Sequence, residues 1–347
     1  MRFLAVLSVR NEGAFLLEWL AHHRAVGFTD FLVLSNDCED GTDAMLDRLQ
    51  QIGELIHLPN PAPHEGGVQF AGLKRADKHP LTSSADWIMA LDIDEFVNIH
   101  CGGHRLADLL AALPDATAIT LTWRLFGNAG EALYVDELVT DQFTRAAPAV
   151  MHWPWRAAMF KTLYRHDRTY RKLGVHRPKS PDPDRVEDAR WFDAAGRELP
   201  DRFRRQQIFS PFGRDNFRLA QLNHYPLQSM QSYILKCDRG RAVHSAERLG
   251  MDYWVERNWS DQEDSTISAL RPARDTELVR LRGDDELARL HEKAVAWRQT
   301  RFESLMKEEH YRALFGRLLM TPPSRALSPE RARFMFRYAQ SSPEPRN

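Results

Sequence analysis

The chain has 347 residues, 43% of them apolar and 27% charged, enough to bury one large core or two smaller ones. Its formal net charge of -1 argues against a dedicated nucleic-acid binder. The three cysteines, Cys38, Cys101 and Cys237, form no CxxC pair, which disfavours a zinc or disulfide framework and indicates a reducing compartment.

The N-terminal run Phe3 to Val9 leads straight into Arg10-Asn11-Glu12-Gly13 with no small-residue cleavage site. It reads as a strand, not as a signal segment. No run of about 18 apolar residues occurs, so no transmembrane helix is expected. Ala14 to Val26 has helical spacing and stops at Gly27. Phe31 to Ser35 is a second, almost wholly apolar strand. The turn-rich loop Asn36 to Gly41 leads to a helix from Thr42 to Ile52 that ends at Gly53. Glu54 to Leu58 is a third strand and Val68 to His79 a third helix. A fourth strand, Trp87 to Leu91, runs into Asp92-Ile93-Asp94-Glu95. Alternating strands and helices with continuous apolar strands predict an α/β fold: a Rossmann-like, mostly parallel sheet with helices on both faces.

In such sheets ligands bind beyond the carboxyl ends of the strands. Arg10-Asn11-Glu12, Asn36-Asp37 and Asp92-Ile93-Asp94 all fall there. If strand geometry continues through the acids, Asp92 and Asp94 share one face and Ile93 turns to the core. Two carboxylates so placed suit a hard divalent cation. Neither GxGxxG after the first strand nor a GxxxxGK-Ser/Thr loop occurs, which disfavours a dinucleotide dehydrogenase or a P-loop NTPase.

Beyond Val97 the pattern is less regular. Leu106 to Leu113 reads as a short helix, and Ala118 to Trp123 and Phe160 to Tyr164 as strands. Residues 178–214 form a Pro-, Asp- and Arg-rich excursion with a hairpin around Trp191 to Leu199. A helix from Gln228 to His244 follows Asn223-His224-Tyr225. Leu287, Leu290, Ala294 and Trp297 mark a long amphipathic helix.

Taken together, Ser8-Val9-Arg10-Asn11-Glu12, Glu18-Trp19-Leu20-x-His22-His23, Ser35-Asn36-Asp37 with Asp40-Gly41-Thr42, Leu91-Asp92-Ile93-Asp94-Glu95-Phe96, Trp123-x-x-Phe126-Gly127 and His224-Tyr225 resemble a family. It is the family 2-like glycosyltransferases of the GT-A fold, and most of all the branch that includes the family 92 enzymes. The resemblance implies a GT-A domain over residues 1–245, with a nucleotide-sugar half to about residue 100 and an acceptor half after it. Residues 246–347 then form a helical extension.

The resemblance also implies that Asp92 and Asp94 hold Mn²⁺ or Mg²⁺ against a donor diphosphate, where the ion acts as Lewis acid and template. Arg10, Asn11 and Glu12 with Asn36 and Asp37 fall at the nucleoside, and Lys236 and Arg239 supply phosphate-directed cations. His224 is the expected further metal ligand, with His176 as the alternative. Leu227-Gln228-Ser229 stands where related enzymes often carry Thr-Lys-Ser, so that turn is not expected to hold phosphate. Trp123, Phe126, Trp153 and Trp155 are candidates for stacking on sugar rings or for the core. Inversion requires a general base, and Glu131, Asp136 and Glu137 are equal candidates.

The expected protein is a cytoplasmic, or inner-membrane-associated, metal-dependent transferase. It moves a sugar from a nucleoside diphosphate to a glycan, lipid-linked or polysaccharide acceptor. The rival readings are a metal-dependent nucleotidyltransferase and a catalytically silent glycan-binding module with the same fold.

Overall fold

The computed structural model describes residues 1–62, 64, 67–240 and 249–341. The first five strands are β1 (Phe3–Val9), β2 (Asp30–Ser35), β3 (Ile56–Pro59), β4 (Trp87–Leu91) and β5 (Glu95–Ile99). Four more follow: β6 (Ala118–Leu125), β7 (Phe160–Arg165), β8 (Trp191–Asp193) and β9 (Ala220–His224). They form one sheet in the order β3-β2-β1-β4-β7-β6-β9-β5, with β8 also on β6. The half from β3 to β4 is wholly parallel. Antiparallel β7 joins it to β6, and β6 pairs in parallel with β9.

The continuous apolar runs follow from burial on both faces. Phe3, Ala5, Leu7 and Val9 enter the larger core with helix α1 (Gly13–Val26) and helix α2 (Thr42–Gln51). Leu4 and Val6 alternate onto the other face, against Leu73 and Ala76 of helix α3 (Val68–Ala76). The third helix thus stops short of the expected His79, and a separate turn, Pro80–Ser84, follows it. Proline cannot continue the hydrogen-bond ladder there.

Helix α4 (Met230–Arg239) begins after Ser229, whose hydroxyl accepts from the Ser232 N–H at 3.1 Å. The expected extension to His244, and the expected boundary at residue 245, lie outside the described residues. Helices α5 (Arg271–Arg282) and α6 (Asp285–Leu305) place Leu278, Leu281, Leu287, Leu290 and Ala294 in the same core as α1. No described helix is long and apolar enough to cross a membrane.

One expectation about the acids is corrected. The strand does not run through them. β4 ends at Leu91, the Glu95 N–H closes a turn onto the Asp92 carbonyl at 3.1 Å, and β5 starts at Glu95 in the far part of the sheet. The two carboxylates sit at the corner where the chain changes neighbours.

Candidate active site

The register of β5 on β9 builds the site. His224 lies opposite Glu95, so the Tyr225 N–H reaches the Asp94 carbonyl at 2.8 Å. His224 Nε2 then stands 3.7 Å from Asp94 Oδ1, although the two are about 130 positions apart in the sequence. Sheet pairing thus brings a late histidine to an early acid.

Each acid meets its own cation. Lys236 of α4 donates to Asp94 Oδ2 at 2.7 Å and to the Pro226 carbonyl at 2.7 Å. Lys161 of β7 donates to Asp92 Oδ2 at 2.8 Å and stands 3.3 Å from Glu95 Oε2. Gln69 donates to Asp92 Oδ1 at 3.0 Å. Burial would raise the Asp94 carboxyl, but Lys236 and His224 hold it well below the usual carboxylate range. Burial lowers His224, against the opposing pull of Asp94. Burial also pushes the Glu95 carboxyl up, against the attraction of Lys161. Glu95 braces the corner: it accepts from Trp123 Nε1 at 2.7 Å and from the Asp92 N–H at 2.9 Å.

Helix α1 splints the same corner. Trp19 Nε1 donates to the carbonyls of Asp92 and Glu95 at 3.2 and 3.1 Å. His22 Nε2 bonds the Val97 carbonyl at 2.8 Å, and His23 Nε2 receives the Val97 N–H at 3.4 Å. Glu18 accepts the N–H groups of Val139 and Thr140 at 2.8 and 3.0 Å. The Glu-Trp-Leu-x-His-His pattern is therefore a scaffold around the acids.

A cleft of about 470 Å³ opens beside Asp94, lined also by Asn11, Glu12, Lys236, Arg239 and Arg298. Arg239 bonds the Glu12 carboxylate and the Arg10 carbonyl, and burial lowers it to about 10. Asn11 adopts φ 56°, a left-handed conformation that its short side chain tolerates, and accepts the Glu39 N–H at 2.7 Å.

The other expected residues lie outside this lining. Arg10 is exposed, with one nitrogen 3.4 Å from the Arg239 carbonyl. Asn36 is committed to Ser8, Val9 and Asn60, bracing β1 to β2, while Asp37 is exposed at φ 48°. His176 bonds the Phe160 carbonyl at 2.9 Å and packs on Trp123, away from the cleft lining. Asp136 is held by His291 Nε2 at 3.0 Å and is lowered by that bond. Glu131 and Glu137 have exposed side chains. Phe126 is core, stacked on Tyr225 at 4.6 Å, and Trp155 is exposed.

Lys161 and Arg298 were missed by the sequence reading. Lys161 interrupts the apolar pattern Phe160-Lys161-Thr162-Leu163-Tyr164, which was its signal. Arg298 falls four positions after Ala294, on the buried stripe of α6, and lies over the rings of Phe15 and Tyr134. Among the described residues, no three His, Cys, Asp or Glu side chains converge closely enough to hold a metal by themselves.

The mixed α/β fold with its mostly parallel sheet is the one that the glycosyltransferase resemblance implies. No protein-family model matches the chain. It is similar to a glycosyltransferase family 92 protein of Oryza sativa subsp. japonica, 24% identical over 142 residues, covering 39% of this chain and 23% of that protein. It is also similar to one of Ricinus communis, 27% identical over 97 residues, covering 27% and 16%. The chain thus spans less than a quarter of the length of these relatives. Among solved structures, S. aureus TarS 1–349 in complex with UDP-GlcNAc overlaps 82% of this chain and 74% of its own, at 13% identity and a TM-score of 0.34.

Proposed function

We propose that the chain is a nucleotide-sugar-dependent glycosyltransferase that binds its donor diphosphate in the cleft beside Asp94 and transfers the sugar to a glycan or lipid-linked acceptor. One observation carries the reading: Asp94, with His224 beside it, and the cations Lys236 and Arg239 converge on one cleft where β1 and β4 end. A parallel sheet presents ligands there. The names of the curated relatives agree with it.

The residues fit a divalent cation, Mn²⁺ or Mg²⁺. Asp94 Oδ1 stands 3.7 Å from His224 Nε2, a separation that lets one ion at about 2.1 Å from each touch both. Asp94 and His224 would hold the ion, Asp92 would join them only by leaving its bonds to Lys161 and Gln69, and diphosphate oxygens would complete the shell. When bound, the ion supplies charge neutralisation at the leaving diphosphate. Asn11 and Glu12 bound the nucleoside side of the cleft. Lys236 and Arg239 neutralise phosphate and orient it, and Trp19 and Glu95 keep the corner rigid.

We further propose transfer with inversion, for which Glu131 is the favoured base. Its carbonyl receives the Met230 N–H at 3.0 Å, next to the cleft-lining Gln228, while Asp136 is tied to His291. The proposed setting is the cytoplasm or the inner face of its membrane.

Asp92→Asn and Asp94→Asn should each lower metal-dependent turnover of nucleotide sugars by about tenfold or more, with the circular dichroism spectrum unchanged. Undiminished turnover in both variants would remove the reading.

A further inference from the structure

We infer that a second cavity, on the other side of Trp123, is a subsite for the anionic group of a carboxylated or phosphorylated sugar acceptor; this rests on the transferase reading above. The cavity opens at the carboxyl end of β6, where the β7 pairing has stopped at Thr122 and Phe160. It is distinct in lining from the donor cleft.

Arg124 marks it. The side chain lines the cavity and the residue is only 5% exposed, yet its hydrogen bonding is incomplete. One terminal nitrogen donates to Gln262 Oε1 at 3.1 Å. Nε lies 3.4 Å from Asp264 Oδ2 without hydrogen-bond alignment, and Nε and Nη1 are both buried with no hydrogen-bond partner. Asp264 cannot readily turn to serve them. Its oxygens already accept from Gln221 at 3.0 Å and from the Thr266 hydroxyl at 2.6 Å. A guanidinium carries five N–H donors, and leaving buried donors unmet is costly. Other buried arginines of the described residues leave one nitrogen unmet, whereas Arg124 leaves two.

The surroundings name the ligand class. Phe217 lies under the guanidinium at 5.5 Å and Phe212 lines the same wall. Arg214 adds a second cation with 41% of its side chain exposed, and its contact with Asp193 is a long 3.5 Å. Aromatic faces accept the apolar face of a sugar ring, while a planar guanidinium pairs with a carboxylate or phosphate in two parallel bonds. A neutral sugar offers these donors hydroxyl oxygens but no charge to pair with the guanidinium.

Position links the cavity to the reaction. Trp123 lines it, packs on His224 with ring centroids 4.3 Å apart, and donates to Glu95. One indole separates the acceptor subsite from the donor's acid corner.

Saturation-transfer NMR on the full chain with glucuronate, glucose 6-phosphate and methyl glucoside tests this. At least one anionic sugar should bind about tenfold more tightly than methyl glucoside, the scale of one charge-assisted contact. Whichever anion binds more tightly identifies the group. Arg124→Met should erase the preference and Arg214→Gln should reduce it, while UDP binding stays intact. Equal binding of all three sugars, or a preference that survives both substitutions, overturns the subsite even where UDP binds. A preference that persists without UDP binding upholds the anion site and overturns its role as an acceptor subsite.

Discussion

Lys161 and His22 show opposite answers to burial. Both side chains are withdrawn from water, but Lys161 meets Asp92 and Glu95, whose attraction outweighs desolvation and keeps the ammonium charged. His22 meets a carbonyl and no carboxylate, so desolvation prevails and lowers it to about 4. The sign of the resulting pH dependence follows from proton counts. Below about pH 6.5 the unfolded chain binds a proton at this position that the folded chain refuses until about pH 4. Stability is therefore fully present above pH 6.5 and falls as pH drops towards 4, by about 3 kcal/mol. Glutamine keeps a donor for the Val97 carbonyl and does not titrate. His22→Gln should accordingly give a shallower fall in urea-measured stability over this window than the native chain. Identical slopes would show that His22 is not the group responsible.

At the scale of the element, α1 acts as the splint for the acid corner. Trp19 is completely buried and donates to the carbonyls at both ends of the turn, Asp92 and Glu95. Trp19→Phe keeps an aromatic ring but removes the indole donor, leaving the Asp92 oxygen with the Glu95 N–H alone, at about 1–3 kcal/mol in all. The expected result is a lower denaturant midpoint together with a weaker UDP affinity, because the corner that orients Asp94 loosens. A variant that loses stability yet binds UDP as the native chain does would reduce Trp19 to a packing role. The strand-end clusters were legible in the sequence because apolar runs and glycine stops announce where β1, β2 and β4 end. The corner itself was not. Asp92-Ile93-Asp94-Glu95 contains no glycine or proline, and its two aspartates, common in turns, read equally well as ligands at a strand end, so the turn that Glu95 closes stayed hidden. The role of Trp19 was hidden for a different reason: its partners lie 73 and 76 positions away.

Across the whole molecule, the long-range register of β5 on β9 does what local pattern could not announce. It places His224 beside Asp94 and lets α4 deliver Lys236 to the same carboxylate. The C-terminal helices contribute more than an appendage would. Their apolar stripes share the core with α1, Arg48 pairs with Asp284 at 2.6 Å, and Arg298 reaches the cleft. The amphipathic spacing of α6 was readable, but the surface it covers was not, since that surface forms only when the sheet does. The central claim, that this cleft receives a nucleoside diphosphate, is tested most directly by thermal denaturation with UDP, GDP and dTDP, each with Mn²⁺, with Mg²⁺ and without metal. A ligand at a hundred times its dissociation constant stabilises the folded chain by about 2.7 kcal/mol, a shift of a few degrees. The account predicts such a rise for at least one nucleotide, larger with the metal than without it. No rise with any nucleotide under any of the three conditions would contradict it.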